Sequence, residues 1–439
     1  MIGVVRNSWA LFLGMFLLML GNGLQGTLLG VRGEIEGFST TAMSIVMSAY
    51  FVGFLFASQL VPRLIQNVGH VRVFAALGSL VSAVLILYPV VTDPIAWTAG
   101  RIVFGFCFCG VYITAESWLN DSADNETRGK ALSVYMIVQM AGIVAAQYIM
   151  VLGDASGYIL FIVPSILVSL AFAPVLLSVG PAPEFQATKR LPVRKLIEAS
   201  PLACVGMFLL GGVFAAQFGM MAVYGASAGL SVPQISLMVS VTYLTALILQ
   251  YPVGWISDRM DRRILIVAVS AIGGVGALLA FLFAGSFAMI LVGAALVGGM
   301  SNPLYALLIA YANDYLDRSD MAAASGGLLL INGSGAVAGP LLVGFAMEAI
   351  GNAAFWLFIS VLLVGLAVYG VWRMTRRRTT TSVEDLVSYA PVAAGASPVI
   401  LEAVQEAYIE AEEEAAAESS DEAGGAGGPA DTTTPEKVE

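Results

Sequence analysis

Two ionisable residues stand inside one apolar stretch, AGRIVFGFCFCGVYITAESWLND (Ala99–Asp121): Arg101 near its start and Glu116 near its end. A guanidinium can clamp the carboxylate or phosphate of a bound molecule, and a carboxylate can pair with a base or carry a proton. At 100° per residue of an α-helix, Arg101, Gly105, Cys109, Tyr112 and Glu116 fall within about 80° of one another, so both charges share one polar stripe. At a rise of 1.5 Å per residue, Arg101 lies about 8 Å and Glu116 about 14 Å from the centre of the span. The depths separate their chemistry. Arg101 is assigned to a cavity, with outward snorkelling as the alternative. Glu116 is assigned to a gate at the interface, pairing with Arg72, Arg128 or Lys130.

Neutral hydrogen-bonding groups interrupt other apolar runs: Asn22, Gln25, Gln139, Gln147, Gln217, Gln250, Asn302 and Asn332. Singly, each reads as an interhelical hydrogen bond of about 0.6 kcal/mol. Together they point to a solvated cavity, for which Arg101, Asn22, Gln25, Tyr112, Gln139, Gln217, Asn302, Tyr305 and Asn332 are the candidate solute-binding residues. One histidine and three cysteines leave no set of metal ligands. Cys107 and Cys109 point about 200° apart on a helix and read, with Cys204, as small buried apolar groups. There is no HExxH, GxSxG or phosphate-loop motif, and GSGAVAG (Gly333–Gly339) lies inside an apolar run rather than after a strand. No enzyme, catalytic residue, metal or cofactor is expected; a coupling proton is the one ion considered. A selective pore is not expected either, for want of a repeated charged ring or carbonyl filter.

The elements that position these residues follow from composition. Of 439 residues, 58% are hydrophobic and 11% charged, against about 25% charged in a typical soluble domain. The chain is read as an all-α membrane protein. Apolar runs long enough to cross ~30 Å of hydrocarbon recur twelve times, over 8–30, 41–62, 73–92, 95–118, 130–151, 158–179, 201–225, 233–255, 264–284, 286–311, 322–346 and 353–374. With the N-terminus inside, seventeen Lys and Arg up to Arg378 fall on the cytoplasmic side of the spans and Arg32 alone on the other, which sets both termini in the cytoplasm.

A shift of 193 residues lays Tyr50 on Tyr243, Gly69-His70 on Arg262-Arg263, Asn120-Asp121 on Asn313-Asp314, and Gln139 with Gly142 on Asn332 with Gly335. Two pseudo-symmetric six-helix bundles, 1–180 and 201–374, are therefore expected, joined by a linker at 181–200. Runs 3, 6 and 9 lack Asn, Gln and charged residues, and run 12 has only Arg373, at its cytoplasmic end. They are expected on the lipid-facing outside, with the site lined by helices 1, 4, 5, 7, 8, 10 and 11.

Between runs 8 and 9 lies GWISDRMDRR (Gly254–Arg263). It resembles the signature loop of the major facilitator superfamily, which implies the major facilitator fold and a cytoplasmic latch. The resemblance gives Asp258 the acid's role and Arg262 that of a base pairing with Asp314; Arg259, Asp121, Glu116 and Arg72 complete the candidate gating set. The first-half counterpart, PRLIQNVGHVR, has Gln66 for the acid and His70, read as an ordinary loop histidine, for a base. Arg101 with Gly105 and Gly110 resembles the superfamily's Arg-led fourth-helix motif. The Gly-Pro motif that antiporters carry in helix 5 has its likeness in helix 11, GAVAGPLLVG, while helix 5 has no proline. GHVRVFA, AESWLND, NETRGKALSVYM and SNPLYALLIAYAND look like the YcaD-like branch of that superfamily.

The resemblance implies a bacterial inner-membrane transporter of a small organic solute, working by alternating access as a monomer in the lipid bilayer. An uncoupled facilitator, or a sensor or assembly protein on the same fold, is the alternative. No nucleic-acid partner is indicated. From Thr379 onward there are 14 acids and one base, so 375–439 reads as an acidic, disordered cytoplasmic tail. It holds one candidate amphipathic helix (Pro398–Glu418) that would serve a protein partner.

Overall fold

The computed structural model describes residues 8–122, 125–177, 191–316 and 318–376. Twelve helices among them are long and apolar enough to cross a membrane. The first six are α1 (Trp9–Ile35), α2 (Thr40–Val68), α3 (His70–Val90), α4 (Pro94–Ser122), α5 (Asn125–Leu152) and α6 (Ile159–Leu177). The second six are α7 (Pro201–Ser227), α8 (Val232–Ser257), α9 (Arg262–Leu282), α10 (Phe287–Asn313), α11 (Arg318–Ile350) and α12 (Ala354–Arg376). No strand occurs among the described residues. In hydrocarbon a helix satisfies its own backbone, which is why each apolar run becomes one. Ends are set locally. The Ser39 hydroxyl accepts from the Ala42 amide at the start of α2, Ser231 and Gln234 form a capping box at α8, and Asp261 caps α9. Gly69, at φ +87°, turns the chain between α2 and α3 where a side chain would be strained.

The repeat is visible in how helices cross. A Cβ added at Gly105 of α4 would lie 2.0 Å from the Tyr50 carbonyl of α2; one added at Gly298 of α10 would lie 2.2 Å from the Thr242 carbonyl of α8. These two glycines are separated by the repeat interval. So are Gly142 of α5, packed on the Phe16 carbonyl of α1, and Gly335 of α11, packed on the Phe208 carbonyl of α7. Small residues at these crossings let backbones touch, and packing replaces the hydrophobic drive that lipid removes.

Helices α3, α6, α9 and α12 pack against helices of their own half, whereas the halves meet along α2 with α11, α5 with α8, and α1 with α7. At the end away from the basic loops, Thr41 Oγ1 donates to Glu348 across the junction. There too Gly30 abuts Ala222 and Gly344 abuts Ser44. Arg32, the one basic residue in that end's loops, ties α1 to the α5–α6 turn through the Ala155 carbonyl at 3.1 Å and holds Glu36 at 2.6 Å. The linker carries a short helix, Val193–Ala199, that docks on α11: Lys195 pairs with Asp320 at 2.5 Å, and the Leu191 amide donates to the Ala323 carbonyl. The acidic tail and its candidate helix lie outside the described residues.

Candidate functional site

A central cavity of about 100 Å³ lies at the junction of the halves. The first half lines it with residues of α1, α2, α4 and α5, the second with residues of α7, α8, α10 and α11. Five amides face it: Asn22, Gln139, Gln217, Asn302 and Asn332. All five stood among the sequence candidates, as did Tyr112, which also lines it. Gln217 donates from Nε2 to Ser301 Oγ at 3.0 Å, and Asn332 donates from Nδ2 to the Met207 carbonyl at 2.9 Å. Both are thereby committed to their own half. Asn22 and Asn302, 2% and 4% exposed, each keep a side-chain oxygen without a partner.

Local backbone features aim these groups. Ala216–Met220 forms a π-helical turn within α7, the widened geometry that recurs at functional sites, and it presents Gln217 and Phe218. Pro303 follows Asn302 inside α10 and removes one rung of the helix ladder beside it.

The expected lining needs one correction, the addition of α2, which supplies Tyr50, Phe51, Phe54 and Leu55. Tyr243 of α8 also lines the cavity, and Tyr50 and Tyr243 are repeat mates that were not among the expected solute-binding residues. The Tyr50 ring packs 5.4 Å from Phe218, joining the halves. Helix α8, counted inner because of Gln250, keeps the smallest share of its span inside the protein, although Gln250 itself is buried.

Arg101 and Gln25 do not line the cavity. Arg101 is fully buried one side chain behind it. Its Nη1 donates to Gln25 Oε1 at 2.7 Å, its Nη2 contacts Met47 Sδ at 3.4 Å, and its guanidinium lies 4.9 Å from the Tyr50 ring centroid. Snorkelling is thus not its arrangement. Tyr305 is also buried behind the wall, its ring 5.8 Å from Phe214 and its hydroxyl without a partner. Glu116, assigned to a gate, is fully buried within the protein and accepts from Tyr135 Oη at 3.1 Å. Among the bases expected beside it, Arg72 and Lys130 are exposed.

Around the signature loop, Arg262 reaches Asp314 with 2.5 Å between Nη1 and Oδ1, while Asp258 stands at 3.8 Å. The side chains of Arg262 and Asp314 are 1% and 3% exposed, that of Asp258 37%. Arg259 turns away, its guanidinium 4.1 Å above the Trp255 ring. The side chain of Asp121 lies outside the described residues. His70 is not a loop residue but the buried first residue of α3, its ring 6.4 Å from Trp118.

The family model of the Major Facilitator Superfamily matches residues 11–230 and 202–404. Over 367 residues the chain is 25% identical to the uncharacterized MFS-type transporter Ent638_1421 of Enterobacter sp. (strain 638), covering 82% of this chain and 94% of that one. It is 24% identical to the uncharacterized MFS-type transporter YcaD of Escherichia coli O7:K1, over 81% and 92%. Among solved structures, the nucleoside transporter NupG superposes with a TM-score of 0.66 at 16% identity, covering 84% of this chain and 99% of that one. A bacterial homolog of the human lysosomal transporter Spinster, in an inward-facing and unoccupied conformation, gives 0.65 at 13% identity over 93% and 98%. FucP in the outward conformation gives 0.56 at 12% identity, over 84% and 99%.

Proposed function

The chain belongs to the Major Facilitator Superfamily, and from that premise we propose that it is a secondary active transporter moving a small organic solute by alternating access. Membership and twelve candidate spans make it a multi-pass membrane protein of a transporter family; the bacterial inner membrane, the solute, its coupling and the mechanism are the proposal. One observation carries it: a single cavity takes its walls from both halves, and the junction is closed at one end by Thr41–Glu348 and by the close contacts of Gly30 and Gly344. A solute held there touches both bundles. Rocking one bundle against the other would break those contacts and pass the solute to the other face.

Within this reading, Asn22, Gln139, Gln217, Asn302 and Asn332 supply neutral hydrogen bonds. Arg101 acts on the solute through Tyr50, whose ring it holds in the wall. Arg262 and Asp314 form the latch beside the basic loops, Glu116 is the candidate carrier of a coupling proton, and both termini are cytoplasmic. Uptake or efflux in membrane vesicles with and without a pH gradient tests coupling. Stimulation by the gradient is expected, and equal rates would identify a facilitator. The rival, a sensor or assembly protein acting through the acidic tail, is separated by deleting residues 379–439. Transport survives that deletion on our reading, and a partner-dependent function does not.

A further inference from the structure

We infer that the cargo is an uncharged, planar, single-ring compound carrying N–H or O–H donors, gripped edge-on between Asn22 of one half and Asn302 of the other. The inference rests on the cavity being the transport site and adds the class of molecule it takes. Size comes first. About 100 Å³ is of the order of the ~150 Å³ cavity known to admit benzene; one ring fits and a disaccharide does not. Charge comes second. No carboxylate, lysine, arginine or histidine lines the cavity, so a charged cargo would enter without a counter-ion. The nearest guanidinium, that of Arg101, is turned to Gln25 and Met47 behind Tyr50.

Shape comes third. Tyr50 and Phe218 meet from opposite halves at 5.4 Å, and Phe214, Tyr112 and Tyr243 line the same space. Such walls favour a flat ring that stacks or meets them edge to face. Hydrogen bonding comes last. Asn332 and Gln217 donate to protein partners, whereas the side-chain oxygens of Asn22 and Asn302 are buried and have none. A buried carbonyl oxygen left unpaired is unfavourable, and a donor on the ring edge would satisfy it. Because one oxygen belongs to each half, a ring that bonds both ties the bundles together.

The test uses purified full-length protein and four probes: uracil, 1,3-dimethyluracil, orotate and ribose. Dissociation constants are read by calorimetry, and exchange by counterflow in proteoliposomes. Uracil is expected to bind. Its dimethyl analogue, with the same ring and no N–H, should bind at least tenfold more weakly; orotate, which adds a carboxylate, and ribose, which lacks the flat ring, should not compete. In Asn302→Ala and Asn22→Ala the ratio between uracil and dimethyluracil should collapse toward one, which a merely structural loss would not produce. The wild-type ratio stands alone as a test if a variant does not fold. The inference is overturned if dimethyluracil binds as well as uracil, if orotate or ribose binds more tightly, or if uracil shows no saturable binding. Counterflow of orotate or ribose would refute the class and leave the transporter reading standing. Uracil binding with no exchange of any probe would do the reverse.

Discussion

Removing the carboxylate of Asp314 should destabilise the protein far more than removing that of Asp258. Both acids face Arg262, but at 2.5 Å and 3.8 Å, and the side chains of Arg262 and Asp314 are almost wholly buried while Asp258 is more than a third exposed. With an effective dielectric of about 20, the bare attraction is about 7 kcal/mol for the first pair and about 4 kcal/mol for the second. Solvent then acts unequally. An exposed acid is screened and its pair is worth under about 1 kcal/mol. Breaking a buried pair strands a charge and costs about 3–5 kcal/mol. Asp314→Asn should therefore cost about 3–5 kcal/mol and Asp258→Asn under about 1 kcal/mol. Arg262→Met combined with Asp314→Leu should recover most of the loss, because no buried charge remains. Unfolding of the purified protein in mild detergent, followed by circular dichroism across a denaturant series, gives the comparison. Equal losses for the two single variants, or a double variant as unstable as Asp314→Asn, would refute the reasoning.

Gln25→Leu removes the oxygen that accepts from the buried Arg101 guanidinium and should cost about 1.5–3 kcal/mol in the same assay. Gly335→Ala would push a methyl to 1.9 Å from the Phe208 carbonyl and should cost about 1–3 kcal/mol. Gly365→Ala, in the interior of α12 with nothing within 4 Å, should be neutral or stabilise by up to about 1 kcal/mol. In the α5–α6 turn, hydrogen bonds from Ser156, with Arg32 nearby, hold the Asp154 carboxyl below its ordinary range. That contribution is present above the unfolded-state value and is lost as pH falls through the folded one. Ser156→Ala should move the Asp154 midpoint upward in an NMR titration.

Helices were legible because a membrane span must be long, apolar and self-bonded, and every run left that trace. Side-chain depth was less legible. α4 continues to Ser122, past the expected end at 118, and Glu116 is covered by Tyr135 of α5, a contact between helices that the sequence of α4 alone does not show. Arg101 read as a cavity charge because nothing in the sequence says that Gln25, three residues after Asn22, turns toward it instead of toward the cavity. Helix α2 was missed for a chemical reason. It meets the cavity mainly with aromatic rings, and phenylalanines are inexpensive anywhere in a membrane, so they carry no mark of a cavity. The repeat held the missing signal, since it had already paired Tyr50 with Tyr243.

The claim that both halves move about one shared cavity is tested most directly by access to its wall. Tyr243→Cys places a thiol there, against a background of three buried native cysteines. A membrane-impermeant thiol reagent is applied from either face of oriented vesicles. The measurement is repeated after Thr41→Cys and Glu348→Cys are joined by a short bifunctional cross-linker. Alternating access predicts labelling from both faces before cross-linking, and afterwards from the face opposite Thr41 alone. Labelling from one face in both conditions, or unchanged labelling from both, would contradict the account.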